Sequence, residues 1–263
     1  MIFRAYDRAK DMAAALRIWR EVGWPMEEDT KEELLDLRVA RGRAHVAEVD
    51  GQAECLALTA GGTICHLEQD LRFSGVMTVM VSRVARKQGA ARRLTALALA
   101  QDAAEGALVS GLGMFEQGFY NQLGFGTGGY DLMVAFDPAQ LNVGVRPRRP
   151  RRIPAEDWKK VHACRLARRR VHGAVSLDRP EATRCDMLAS KDAFGLGYYD
   201  EASGEVTHCM WLRAEGRSGP YNVMWMAYRT PAQFLELMGV LRSLGDQVRL
   251  VRMMNPSGIQ LSD

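Results

Sequence analysis

Short-range cysteine pairs are missing from this chain of 263 residues. Its five cysteines, Cys55, Cys65, Cys164, Cys185 and Cys209, are odd in number, widely spaced and free of any Cys-x-x-Cys, which argues against a disulfide framework and against a zinc site. A reducing compartment follows. Long apolar runs are missing too: the start, Met1-Ile-Phe-Arg-Ala-Tyr-Asp7, carries charge early, so neither a signal peptide nor a membrane anchor is expected and the chain reads as cytoplasmic. A large excess of one sign of charge is missing as well, since 35 basic against 32 acidic residues leave +3, too little to call for a nucleic-acid partner. What is there is a chain 47% hydrophobic and 25% charged, the balance of a globular protein, and long enough for two domains.

The chain is organised around residues 75–126. Val76-Met-Thr-Val-Met-Val81 is short, apolar and rich in β-branched residues, so it predicts a buried strand. Arg86-Lys-Gln-Gly89-Ala90-Ala91 follows as a basic, glycine-containing turn. It opens a predicted helix with Leu94, Leu97 and Ala98 on its apolar face. First-turn N–H groups lack partners within their helix and carry the positive end of its dipole, so this turn can cradle a phosphate. Gly89 and the small Ala90 and Ala91 permit close approach of a pyrophosphate; Arg86, Lys87 and Gln88 are its candidate neighbours. Gly106 to Gly111 predicts a second strand, and Phe119-Tyr120-Asn-Gln-Leu-Gly124-Phe125-Gly126 follows.

Upstream, a short first strand and a helix with Met12, Leu16, Trp19 and Val22 on one face are expected. Trp19 and Trp24 serve either the core or the wall of an acceptor pocket. Thr30-Lys-Glu-Glu33 fits a capping box and predicts a second helix. Asp50-Gly51 between two apolar runs predicts a tight hairpin. His66, Glu68 and Asp70 are expected in a solvated connection. A strand within Thr127–Phe136 is expected to close the first domain.

The order strand, Arg-x-x-Gly-x-Ala turn, helix, strand and Tyr-x-x-x-Gly-Phe resembles the GNAT acyl-CoA N-acyltransferase superfamily. The phrase from Phe119 to Gly126 and the long second half resemble its enhanced intracellular survival (Eis) branch, in which a complete GNAT domain precedes a degenerate one. The resemblance implies an α/β (α+β) fold of tandem GNAT-like domains, each a mixed, mostly antiparallel twisted sheet flanked by helices, the second degenerate. It implies a catalytic domain at 1–137, a basic, proline-rich linker at 138–154 and a degenerate domain at 155–263.

The activity so implied is acetyl transfer from acetyl-CoA to a primary amine of a small molecule or peptide, with no metal. Val79 and Val81 would pair with the pantetheine arm and a backbone N–H around Met80 would meet the oxyanion. Tyr120 would protonate the departing thiolate, with ring packing as its bland alternative. Trp19, Trp24 and Glu116 would line the acceptor pocket. Branch members usually continue into a sterol-carrier-like domain whose terminal carboxylate is the general base, and this chain stops at Asp263; either it is a fragment or truncated member with impaired catalysis, or another group, such as Glu116 or an ordered water, takes the proton. The partners expected are acetyl-CoA and the amine, without nucleic acid or membrane, and a homo-oligomer is compatible with this reading. The rival is a catalytically impaired CoA-binding or protein-interaction module.

The second half is expected to repeat the first: helices near 154–170 and 179–190, strands at Phe194–Tyr199, Glu205–Arg213 and Tyr221–Tyr228, a helix after Thr230-Pro231 and a closing strand at Val248–Met253. Thr230-Pro231 has no glycine and surrenders an amide, so no phosphate cradle is expected there.

Overall fold

The computed structural model describes residues 1–24, 31–113, 118–256, 258–259 and 261. The chain divides into one unit of residues 1–127 with 172–182 and another of residues 128–171 with 183–263.

The first unit begins with β1 (Ile2–Ala5), α1 (Arg8–Glu21) and α2 (Lys31–Ala40), followed by β2 (Arg43–Val49), β3 (Gln52–His66) and β4 (Gln69–Val81). Then come α3 (Ala90–Ala104) and β5 (Val109–Gly111). The sheet order is β1-β2-β3-β4-β5, antiparallel except for the β4–β5 pair. Asp50 and Gly51 take φ values of 49° and 81°, as a tight β2–β3 hairpin demands. Thr30, the expected cap of α2, lies outside the described residues.

His66 pairs with Gln69, so β3 and β4 form a long hairpin. Asp70, expected in a loop, belongs to β4 because backbone pairing outweighs its low strand propensity.

One face of this sheet packs on α1 and α2, where Ile18, Trp19, Leu35, Leu56, Leu58 and Met80 share a core. The other packs on α3: Ala90 and Leu94 meet Cys55, Ala57, Val79 and Val81. The buried stripe of α3 is Ala90, Leu94, Thr95 and Ala98, so Leu97, expected inside, is 39% exposed. Small residues at the contact bring α3 close to the sheet, and the helix turns Leu97 to its flank.

The second unit contains β6 (Met133–Phe136), β7 (Arg151–Ile153), α4 (Trp158–Leu166), β9 (Ala193–Tyr199), β10 (Val206–Ala214), β11 (Tyr221–Ala227), α6 (Pro231–Ser243) and β12 (Val251–Met254). Between α4 and β9 the chain supplies β8 (Val175–Leu177), which pairs with β3 in the first sheet, and α5 (Pro180–Met187). The second sheet runs β6-β12-β11-β10-β9-β7. Only β11 and β12 are parallel in it. Its α6 face holds Met210, Leu212, Phe234, Leu237 and Leu241, and its α4 face Val161, Cys164, Cys209 and Trp211.

Met133–Phe136 pairs with β12 and so is an edge of the second sheet, not the closing strand of the first. Arg151–Ile153, within the stretch expected as linker, pairs with β9. An edge strand is chosen by a distant partner, which local sequence does not name.

The repeat is nevertheless plain. An antiparallel hairpin leads through a helix to a parallel neighbour in both units, as β3-β4-α3-β5 and as β10-β11-α6-β12.

Candidate active site

β4 and β5 pair only from Phe73–Val109 to Gly75–Gly111. β4 then continues alone to Val81, and among the described residues no strand covers its outer edge from Val76 onward. Met77 is an extra residue against β3, because Val76 and Thr78 face the adjacent Thr59 and Leu58. Such a bulge raises the local twist and helps β4 diverge from β5.

The direction of the free backbone groups follows from pairing. Ser82 donates its N–H to Glu54 O at 2.9 Å on the β3 side. In an antiparallel pair the inward groups alternate, so Met80, opposite Leu56, also turns its N–H to β3. Val79 and Val81 turn theirs to the open edge. Met80 itself contributes a buried side chain to the α1 core.

That edge runs straight into the turn 82–89. Arg86, Lys87, Gln88 and Gly89 are exposed, and among the described residues Arg86 and Lys87 make no ion pair. Gln88 spends its Nε2 on Val84 O at 2.8 Å, which closes the loop and leaves its backbone for a ligand. Gly89 is the N-cap of α3, left-handed at φ 78° and with no side chain to cap the helix. The first-turn amides of α3 are therefore left for an external acceptor.

The corresponding start of α6 is closed by its own residues. Thr230 Oγ1 accepts the Gln233 N–H at 3.2 Å, Gln233 Oε1 accepts the Arg229 N–H at 2.7 Å, and Pro231 has no N–H to offer. The same crossover has a receptive helix start in one unit and a saturated one in the other.

Tyr120 opens a 3-10 turn, Tyr120–Leu123, that ends on left-handed Gly124. Its half-buried ring stands edge-on to Phe119 at 5.0 Å and to Phe125 at 5.9 Å. Trp19 is 3% exposed and belongs to the α1 core; Trp24 meets it edge-on at 4.9 Å, and the Arg38 guanidinium lies 4.5 Å above its ring. Core packing thus accounts for Trp19, while Trp24 is half-buried. Glu116 lies outside the described residues.

Two polar clusters escaped the sequence reading. Asp102 of α3 accepts Ser74 Oγ at 2.6 Å and Arg43 Nη1 at 2.8 Å, and Ser110 Oγ donates to Ser74 O at 2.8 Å. The helix is so fastened to the β4–β5 fork. Glu21, at the end of α1, accepts the Arg83 N–H at 2.7 Å; this bond first, and Arg17 after it, hold its carboxyl below the usual range. The Arg17–Glu21 spacing of four residues is the one local signal of this cluster, and nothing in the sequence points to its reach to Arg83. Among the described residues no group of three His, Cys, Asp or Glu could hold a metal. No described helix is long and apolar enough to cross a membrane.

Residues 4–128 match the family described as acetyltransferase (GNAT) domain. The first half of the chain is therefore similar to a GNAT acetyltransferase domain. Solved structures share the fold across the whole chain. A probable N-acyltransferase from Enterococcus faecalis superposes with TM-score 0.77 at 17% identity, over 98% of this chain and 66% of its own. Eis1 from Mycobacterium abscessus gives 0.77 at 17% identity, over 99% and 68%. A GCN5-related N-acetyltransferase from Anabaena variabilis gives 0.78 at 11% identity, over 99% and 68%. The chain spans about two thirds of the length of these neighbours. No curated protein shows significant similarity to the sequence.

Proposed function

We propose that the first unit binds acetyl-CoA and transfers its acetyl group to a primary amine in the cytoplasm. The observation that carries this reading is the pair of neighbouring sets of free backbone donors, one on the outer edge of β4 and one at the uncapped start of α3. The pantetheine arm lies along Val79 and Val81 as an added strand. The pyrophosphate sits over residues 86–91, with Arg86 and Lys87 beside it. That polarity points the acyl end back toward the β4–β5 fork.

There the neutral amine attacks the thioester carbon, and a tetrahedral oxyanion forms. An outward N–H of β4 stabilises it, Val79 being nearer the fork, because the Met80 N–H serves the β3 ladder. The C–S bond then breaks and the thiolate takes the Tyr120 hydroxyl proton; a phenol suits this step because, with an ordinary pKa of about 10, it still carries its proton at neutral pH, and the phenolate is reprotonated from solvent. The amine gives up its proton to solvent, directly or through a carboxylate such as Glu116. The acceptor is a small-molecule or peptide amine, lodged beside Trp24.

Calorimetric titration of acetyl-CoA tests the cradle. Gly89 has open space around its α-carbon but a left-handed backbone. Asn and Asp both tolerate that conformation and differ by one charge. Wild type is expected to bind in the micromolar range, Gly89→Asn to bind nearly as well, and Gly89→Asp to lose binding by repulsion of the pyrophosphate. Equal affinities for Asn and Asp would place the diphosphate elsewhere. Binding with no thiol release across a broad amine panel would leave a CoA-binding module in place of an enzyme.

A further inference from the structure

The loop between β4 and α3 has few supports of its own. Lys87 and Gly89 have φ of 63° and 78°, the first a costly conformation for a residue with a β-carbon. Within the loop the Ala85 N–H reaches Ser82 and Gln88 reaches Val84. Among the described residues a single side chain from outside takes a backbone donor of the loop: Glu21 Oε2 accepts the Arg83 N–H.

Glu21 is itself held from behind. Its other oxygen accepts Arg17 Nη1 at 3.0 Å, and Arg17 Nη2 donates to Glu54 Oε1 at 2.9 Å and to Ala53 O at 3.3 Å on β3. Glu54 is buried, and its backbone carbonyl accepts the Ser82 N–H. The bonds close a ring from the loop to α1, from α1 to β3, and from β3 back to the first residue of the loop.

Two carboxylates and one guanidinium leave this ring one negative charge in excess. Charge alone would oppose an anionic ligand on the neighbouring loop. We propose that Glu21 is a positioning residue for the cofactor: it fixes the Arg83 backbone so that the loop presents its donors to the diphosphate before the ligand arrives. A loop ordered in advance spares the ligand the cost of ordering it. This inference rests on the acetyl-CoA reading above.

Titration of CoA and of pantetheine, which lacks the diphosphate, into the full chain is the test. Glu21→Ala is expected to weaken CoA about tenfold, the scale of one hydrogen bond to a charged group, and to leave pantetheine unchanged. Glu21→Gln keeps an oxygen for Arg83 without the charge and is expected to bind CoA as wild type does. Tighter CoA binding in both variants would mean that the carboxylate acts by repulsion alone, and would overturn the proposal. Equal losses for CoA and pantetheine in Glu21→Ala would do the same, as the mark of general damage to the unit. CoA binding by wild type that Glu21→Ala leaves intact would remove the positioning role only. Wild type that binds no CoA would remove the acetyl-CoA reading, and this inference with it.

Discussion

Tyr120 is the residue on which the proposed chemistry turns. Its ring is set by edge contacts with Phe119 and Phe125 and by the left-handed Gly124 that ends its turn, so its direction does not depend on a ligand. A donor oriented in advance contributes to the transition state without an ordering cost. Tyr120→Phe keeps both ring contacts and removes only the hydroxyl. With an amine found by screening, kcat for thiol release is expected to fall about 100-fold, the low end for a lost general acid, while KM for acetyl-CoA stays near wild type. Full turnover by Tyr120→Phe would exclude the phenol as proton donor. The tryptophans show the opposite case: periodicity placed Trp19 on an apolar face, which suits a core and a pocket equally, and only burial decided for the core.

Among the elements, α3 matters most, because both the cradle and the β4–β5 fork hang on it. Its packing is small and apolar at Ala90, Leu94 and Ala98, but its attachment at the far end is polar, through Asp102 to Ser74 and Arg43. Asp102→Ala would leave the buried Ser74 hydroxyl and one guanidinium nitrogen without their acceptor. The expected loss is about 2 kcal/mol of stability in urea unfolding, with a smaller loss for Asp102→Asn, which retains an oxygen. Features of this element that the sequence made legible were local ones: the apolar run of β4, the glycine at the helix start, and the contrast with Thr230-Pro231. Asp102 and Glu21 were not legible, because each acts on a residue far along the chain. The partner of Met133–Phe136 was hidden for the same reason, since four apolar residues carry no sign of which sheet edge they join.

At the scale of the whole molecule, the two units share a plan and differ in what their polar groups are for. In the first, free donors face outward; in the second, a network centred on Glu236 spends donors internally. Glu236 of α6 accepts the Arg148 N–H at 3.1 Å and its guanidinium at 2.8 and 2.9 Å, and His208 Nε2 lies 3.0 Å away. His208 stacks on Tyr198 at 4.5 Å, and the Tyr198 hydroxyl donates to Arg148 O at 2.8 Å. Arg148 holds the Glu236 carboxyl down to about 2, well below the ordinary carboxylate range. A carboxyl lowered on folding stabilises above its unfolded value and loses that contribution as pH falls through its folded one. Burial also lowers His208, so the folded state resists its protonation, and acid works against the fold at this residue as well. Both signs agree: stability of the second unit should fall from pH 7 downward, gently as His208 would titrate and steeply below pH ~4.5, where an unfolded glutamate gains its proton. The Glu236 contribution, discounted because Arg148 is largely exposed, is about 2 kcal/mol at neutral pH. Glu236→Gln should be destabilised by that amount at pH 7, and the gap to wild type should narrow below pH ~4.5 and close only as pH falls through about 2. Urea unfolding followed by tryptophan fluorescence across this range measures the gap. A gap that stays constant with pH would show that Glu236 stabilises by packing and neutral hydrogen bonds, without its charge.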